Sequence, residues 1–173
     1  MLLLRGINVN PSTRVAMADL RALLSELGYP DATTILQSGN VLLSSSKRPP
    51  VAPIEAAITA ATGVRSKGVA LSVDEVRAVA AANPLLDRSD DLSKLIITFL
   101  DDEITPSDIE RPSESDLDPE ALVITSRAVY QWLPAGVLQT KLKPSWWKQF
   151  EPLITARNVR TVNRILAAAP PVE

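Results

Sequence analysis

The stretch Lys94-Leu-Ile-Ile-Thr-Phe-Leu100 gives the clearest indication of the fold. Its apolar side chains fall on both faces of an extended chain, which is typical of a strand at the centre of a sheet. Such a strand needs neighbours, and the surrounding sequence supplies them. The elements predicted around it are a helix from residue 73, a loop over 105–120 with one short helix, a hairpin of strands over 121–126 and 128–133, and helices over about 144–151 and 158–168.

The first half of the chain carries the order β-α-β-β-α-β. Strands are predicted over 2–9 and 67–71, and a hairpin around Ser38-Gly39-Asn40 lies between two amphipathic helices. This is the split β-α-β arrangement of ferredoxin-like folds. The second half reads as β-α-β-β-α with an extra helix. We therefore predict an α+β protein of two ferredoxin-like subdomains, over residues 1–72 and 73–173, the second with C-terminal helices.

The composition restricts the chemistry, because the 173 residues include no His and no Cys. The chain therefore cannot form a Ser-His-Asp triad, a Cys-His pair, a disulfide or a Cys/His zinc site. Asp, Glu, Lys, Tyr, Ser, Thr and Arg remain for chemistry, and the chain lacks His, the usual carrier of protons near neutral pH. We expect no cofactor and no metal, and the composition favours a binding protein over an enzyme without deciding between them.

Charge is unevenly distributed along the chain, whose net charge is −2. Residues 87–120 carry 3 basic and 12 acidic groups, whereas residues 121–173 carry 7 basic and 2 acidic groups. Arg157, Arg160 and Arg164 fall at helical spacing and could bind phosphates or an acidic partner. We expect them to pair with the acidic segment of the same chain, so nucleic acid is not the expected partner.

No apolar run approaches the roughly 18–20 residues needed to cross a bilayer. The opening Met1-Leu-Leu-Leu4 is interrupted by Arg5 and Gly6, which leaves it too short for the apolar region of a signal peptide. We therefore expect a protein without membrane segments, located in the cytoplasm.

Several sequence strings occur in an order that resembles one protein family. They are Leu3-Leu-Arg-Gly-Ile-Asn-Val9, Gln37-Ser-Gly-Asn-Val41, and Thr155-Ala-Arg-Asn158 followed by Thr161-Val162. Together they are similar to the bacterial domain of unknown function family 1697, over nearly the whole chain. The resemblance implies a fold of two ferredoxin-like subdomains and implies no established activity.

The chain departs from that family pattern at three places. Asn10-Pro-Ser-Thr13 stands where the family has Gly-Gly-Lys-Asn, which removes a glycine pair and a lysine. Thr34 stands where the family has Tyr before its second string. Family members usually carry a few residues before the first string, so we expect either a shortened first strand or a start upstream of Met1.

Polar residues at the loop ends of these strings form the candidate ligand site. They are Arg5, Asn8, Gln37, Ser38, Asn40, Arg157 and Asn158. Short polar side chains and glycine let main-chain N–H groups line a small concavity, with arginine as counter-charge for a phosphate or carboxylate. We predict that these residues hold a small anionic molecule in a cleft between the halves. The alternative is that Gly39-Asn40 only forms a tight hairpin while Asn8 and Gln37 satisfy main-chain groups around it.

Two further kinds of function stay open from the sequence. An enzyme would have to combine arginine with a carboxylate, Lys or Tyr, since no His or Cys is present. A protein-interaction module could use an exposed sheet edge. A nucleic-acid module could use the aromatic residues, five of which lie within a short segment: Tyr130, Trp132, Trp146, Trp147 and Phe150. We expect these aromatic residues to seal a helix onto a sheet instead.

Overall fold

Two four-stranded sheets organise the chain, of which the computed structural model describes residues 1–150 and 154–171. The chain divides into two units. The first comprises Met1–Asp74 together with the chain from Ile165 onward, and the second comprises Glu75–Arg164. Each unit contains one of the two sheets.

The first unit has the predicted order β-α-β-β-α-β. Its elements are β1 (Leu2–Arg5), α1 (Met17–Glu26), β2 (Thr33–Ile35), β3 (Asn40–Leu42), α2 (Val51–Thr62) and β4 (Lys67–Ala70). The strands lie in the order β2-β3-β1-β4, and every neighbouring pair is antiparallel. In the β1–β4 pair, Leu2 lies opposite Ala70 and Arg5 lies opposite Lys67.

The two helices of the first unit share a buried apolar cluster with β1. The cluster includes Leu2, Leu4, Leu20, Leu24, Ile54 and Ile58. The helical members are four residues apart and the strand members two apart, which are the spacings that place side chains on one face of each element. Burial of each such side chain contributes about 1.5–3 kcal/mol.

The first strand is shorter than the predicted range 2–9. It ends at Arg5 because the next residues leave the extended region: Gly6 has φ +82° and Asn8 has φ +53°. Residues 6–9 therefore form a loop, which a short 3₁₀ helix over Pro11–Thr13 follows. The apolar character of Ile7 and Val9 suggested a longer strand, although Ile7 is buried from within the loop.

The second unit repeats the strand order of the first. Its elements are α3 (Val73–Ala81), which starts at the end of the first unit, β5 (Leu95–Leu100), α4 (Glu114–Leu117), β6 (Ala121–Ile124), β7 (Ala128–Trp132) and β8 (Ile154–Asn158). The last helix, α5 (Val159–Ala168), begins in the second unit, and its residues from Ile165 onward belong to the first. The strands lie in the order β6-β7-β5-β8, again antiparallel. All six residues of β5 are buried, and the strand has a neighbour on each side, as its two apolar faces predict.

Two predictions for the C-terminal region were wrong. The helix predicted over 144–151 is a 3₁₀ helix over Pro144–Gln149, and residue 151 lies outside the described residues. The strand β8 was not predicted, because Thr155 and Arg157 break the apolar pattern that marks a buried strand, yet both are buried. The helix predicted over 158–168 is confirmed as α5 to within one residue.

The fold class is α+β, with two antiparallel sheets and a C-terminal helix, as predicted. Among the residues that the structure describes, no helix combines the length and the apolar character that crossing a membrane would require.

Candidate functional site

The side chain of Asn8 joins two loops of the first unit. Its Nδ2 donates to the carbonyl oxygens of Val15 at 2.9 Å and Gln37 at 2.7 Å, and its Oδ1 accepts from the Val15 N–H at 2.8 Å. Three of the four hydrogen-bonding positions of this amide are therefore used on main-chain groups. Asn8 fixes the loop after β1 against the loop before β3, as the alternative interpretation of the sequence proposed for this residue.

The second loop, over residues 36–39, is held in a similar way by Asn40. This residue is fully buried, and its Nδ2 donates to the Ile35 carbonyl oxygen and to the Ser38 hydroxyl, both at 2.9 Å. Gly39 lies so close to the first loop that an added Cβ would be 2.8 Å from the Ile7 side chain. The two loops are thus in direct contact, with no space for a larger residue at this position.

Both loops contain a non-glycine residue in the left-handed region. Asn8 has φ +53° and Leu36 has φ +60°. Such a conformation costs of the order of 1–3 kcal/mol for a residue like Leu and concentrates at functional positions and ligand clamps. The loop conformation is therefore imposed by the surrounding contacts, above all by the amide of Asn8.

Arg5 stands at the end of β1 beside this loop pair. It lies directly opposite Lys67, so the two cationic side chains share one face of the β1–β4 pair. Lys67 forms an ion pair with Glu55 at 2.7 Å, and the other carboxylate oxygen of Glu55 accepts from the Gly68 N–H at 2.9 Å. Arg5, Lys67 and Glu55 therefore place charges of both signs at this end of the sheet.

Two main-chain donors of the loops remain available. Within the described part of the chain, the N–H groups of Gly6 and Gln37 make no hydrogen bond. Both residues are exposed. Exposed N–H groups beside an arginine are the donors from which proteins build small anion sites.

The second unit holds the other two predicted site residues. Arg157 in β8 is only 9% exposed; its Nη1 donates to the Thr155 hydroxyl at 3.1 Å and to the Ala156 carbonyl oxygen at 2.7 Å. Burial lowers the pKa of Arg157 to about 10, so the guanidinium is still charged at neutral pH. Asn158 caps α5, since its Oδ1 accepts from the Thr161 N–H at 2.8 Å.

The structure brings Arg5, Asn8, Gln37, Ser38 and Asn40 together within the first unit and places Arg157 and Asn158 in the second. That all seven residues form one ligand site stays a prediction. Sequence reasoning missed Lys67 and Glu55. The start of the strand predicted over 67–71 was the signal that could have identified Lys67 as the cross-strand neighbour of Arg5.

Two side chains of the second unit that the sequence offered for binding, Arg160 and Tyr130, have internal partners. Arg160 pairs with Asp91 of the acidic segment at 2.9 Å. Tyr130 is buried, and its hydroxyl donates to the Val79 carbonyl oxygen at 2.8 Å, which leaves no ring face for a base. In residues 1–150 and 154–171, no group of three or more acidic side chains is placed to hold a metal ion.

These features define the class of protein: an α+β chain with two antiparallel sheets of the same strand order and a rigid polar loop pair after its first strand. The chain belongs to the family described as "Protein of unknown function (DUF1697)", which matches residues 1–130. The family resemblance seen in the sequence is thereby confirmed.

A solved structure supports the fold over a larger part of the chain. The chain is similar to a conserved bacterial protein from Streptococcus pneumoniae, with 22% sequence identity and a TM-score of 0.62. The similarity covers 96% of this chain and 94% of that chain. Among curated proteins, none matches the chain. The matches establish family and fold and assign no activity.

Proposed function

We propose that the chain binds a small anionic ligand at the loop pair of the first unit, with Arg5 as the principal cation. The observation that carries the proposal is the placement of Arg5 directly opposite Lys67, beside the exposed N–H groups of Gly6 and Gln37. Like charges directly opposite each other destabilise a sheet. Glu55 already compensates Lys67 in part, and a bound phosphate or carboxylate would add negative charge beside the two cations and accept hydrogen bonds from the loop.

The loop contacts give the predicted site residues two different roles. Asn8 and Asn40 use their amides on main-chain groups and on Ser38, so they position the loops and do not meet the ligand directly. In this proposal Arg5 and the main-chain N–H groups of Gly6 and Gln37 contact the ligand. A site whose geometry is fixed before binding loses less entropy when the ligand binds.

Thermal unfolding with inorganic phosphate, compared with sodium chloride at equal ionic strength, tests the proposal. A ligand that binds the folded state raises Tm with concentration, and a tenfold excess over Kd corresponds to about 1.4 kcal/mol. We expect phosphate to stabilise the wild type and Lys47→Gln, an exposed charge-matched control, and to have much less effect on Arg5→Gln. The proposal fails when phosphate and chloride act alike, or when Arg5→Gln responds like Lys47→Gln.

Two further expectations belong to the same proposal. The shared strand order of the two sheets supports a ferredoxin-like arrangement in each unit. The cytoplasmic location expected from the sequence stays a prediction, which fractionation of cells that express the protein would check.

A further inference from the structure

A groove within the second unit has the size of a small-molecule site. It encloses about 600 Å³ between the segments 110–117 and 141–149. Small-molecule sites have volumes of about 300–1,000 Å³. The residues that carry the argument are Glu110, Arg111, Asp116, Lys143 and Trp146, all of which line the groove.

One wall of the groove is held rigid by three hydrogen bonds. Trp146 Nε1 donates to the Glu110 carbonyl oxygen at 2.6 Å, and the Glu110 N–H donates to Gln149 Oε1 at 2.9 Å. Gln149 Nε2 in turn donates to the Trp146 carbonyl oxygen at 3.0 Å, so the three residues form a closed ring of hydrogen bonds. The indole also packs against the rings of Trp147 and Phe150, with centroids 4.9 and 5.0 Å away. The aromatic wall is therefore formed before any ligand arrives.

Lys141, which also lines the groove, is held in place through Glu120. The Glu120 carboxylate accepts from the Thr140 hydroxyl and from the Lys141 N–H, each at 2.7 Å. The Lys141 ammonium donates to the Asp118 carbonyl oxygen, so this lysine is engaged within the unit. Glu120 and Lys141 therefore hold the groove in shape and leave recognition of a ligand to other side chains.

Two cations of the groove remain for a ligand. Arg111 and Lys143 are exposed, and their side chains make no ion pair or hydrogen bond with any residue that the structure describes. The lining also contains the carboxylates of Glu110 and Asp116. With Lys141 included, three positive and two negative charges face the groove, which favours a ligand with a single negative charge over a polyanion.

We propose that this groove binds a flat aromatic carboxylate, with the ring against Trp146 and the carboxylate between Arg111 and Lys143. The guanidinium fork matches a carboxylate geometrically, and stacking on an aromatic side chain tolerates many ring types. The proposal is independent of the anion site in the first unit.

Isothermal titration with 1-naphthoate, 1-naphthamide and acetate tests the two parts of the recognition separately. We expect saturable binding of one 1-naphthoate per chain, about tenfold weaker binding of the neutral amide, and much weaker binding of acetate, which lacks the ring. Equal affinity for naphthoate and naphthamide, or no saturable binding of naphthoate, overturns the proposal.

Charge-matched variants locate the binding. Arg111→Gln and Lys143→Gln should each weaken 1-naphthoate binding about tenfold. Lys148→Gln should leave the binding unchanged, because Lys148 is an exposed lysine of the 3₁₀ helix over Pro144–Gln149 that does not line the groove. In ¹⁵N NMR spectra of the wild type, the Trp146 indole resonance should shift on titration and the Trp132 resonance should not. An equal loss in Lys148→Gln, or a Trp146 resonance that does not move, refutes the assignment. Naphthoate binding should persist in Arg5→Gln, which separates this outcome from that of the phosphate experiment.

Discussion

Replacement of Asn8 gives the sharpest test of how the loop pair is built. Asn8→Ala removes three hydrogen bonds, two to Val15 and one to Gln37, and leaves alanine at φ +53°. Each bond contributes about 0.5–1.5 kcal/mol net, and the exposed one lies at the low end of that range. The left-handed conformation costs alanine about 1 kcal/mol more than it costs asparagine. We expect a total loss of about 3–4 kcal/mol in the free energy of unfolding.

Asn8→Gly separates the two contributions. Glycine loses the same three hydrogen bonds but accepts the positive φ, so this variant should be about 1 kcal/mol more stable than Asn8→Ala. Gln37→Ala is the matched control, because it removes an exposed side chain and keeps the carbonyl oxygen that accepts from Asn8. It should change stability by less than about 0.5 kcal/mol.

Urea unfolding followed by circular dichroism is the suitable assay, since Trp132, Trp146 and Trp147 all lie in the second unit and their fluorescence reports on that unit. A loss below about 1 kcal/mol in Asn8→Ala would show that the amide does not hold the loops. An Asn8→Gly variant no more stable than Asn8→Ala would refute the role of backbone strain.

Further substitutions test the packing, the buried tyrosine and the helix cap. Gly39→Ala should destabilise by about 2–4 kcal/mol, because its Cβ would lie 2.8 Å from side chains of the first strand and loop and φ is +75°. Gly28→Ala, at φ +94° with no atom within 4 Å, should cost only about 1 kcal/mol in the same urea assay. Tyr130→Phe should cost about 1–2 kcal/mol by leaving a buried carbonyl oxygen without its donor.

Burial raises the pKa of Tyr130 above 10.0, the value of the unfolded chain. The contribution of the neutral hydroxyl to the free energy of unfolding is therefore complete below pH 10.0 and is lost as the pH rises through the pKa of the folded state. Stability of the wild type should therefore fall above pH 10 more steeply than that of Tyr130→Phe, as urea midpoints across that range would show. Asn158→Ala should lower the free energy of unfolding by about 1 kcal/mol. Asn158→Asp should lower it much less, because aspartate keeps an acceptor for the Thr161 N–H. Equal Tm values for the two variants would contradict the capping role.

The periodicity of apolar residues was enough to predict those helices and strands that are buried through apolar side chains alone. The six-residue strand β5 and the helices α1 and α2 have such patterns, and each was predicted near its observed position. Strand β8 was missed because a buried arginine occupies one of its inward positions. Hydrogen bonds to the Thr155 hydroxyl and the Ala156 carbonyl oxygen offset part of the cost of burying that charge, and a search for apolar periodicity does not register them.

The roles of single residues in the candidate site could likewise not be predicted from local sequence. The sequence drew attention to the strings around Asn8 and Asn40, but it could not distinguish a side chain that contacts a ligand from one that holds a loop. That distinction depends on partners 7 to 29 residues away, such as Val15 and Gln37. Lys67 was overlooked because its relation to Arg5 exists only through the strand register.

The second unit explains why aromatic residues concentrate late in the chain. In the first unit, α1 and α2 occupy the two crossover connections, and their apolar stripes cover the sheet. In the second unit the matching connections hold only the four-residue α4 and short 3₁₀ helices.

Short elements bury little area per residue, so large side chains must supply the cover. Trp146, Trp147 and Phe150 do this by packing against Leu100 and Val129 of the second sheet. A few large rings and loops fill the space over the second sheet less completely than long helices would, and the groove beside Trp146 is one of the spaces that remain. Large rings in place of long helices thus complete the core and also form the groove for which we propose a ligand.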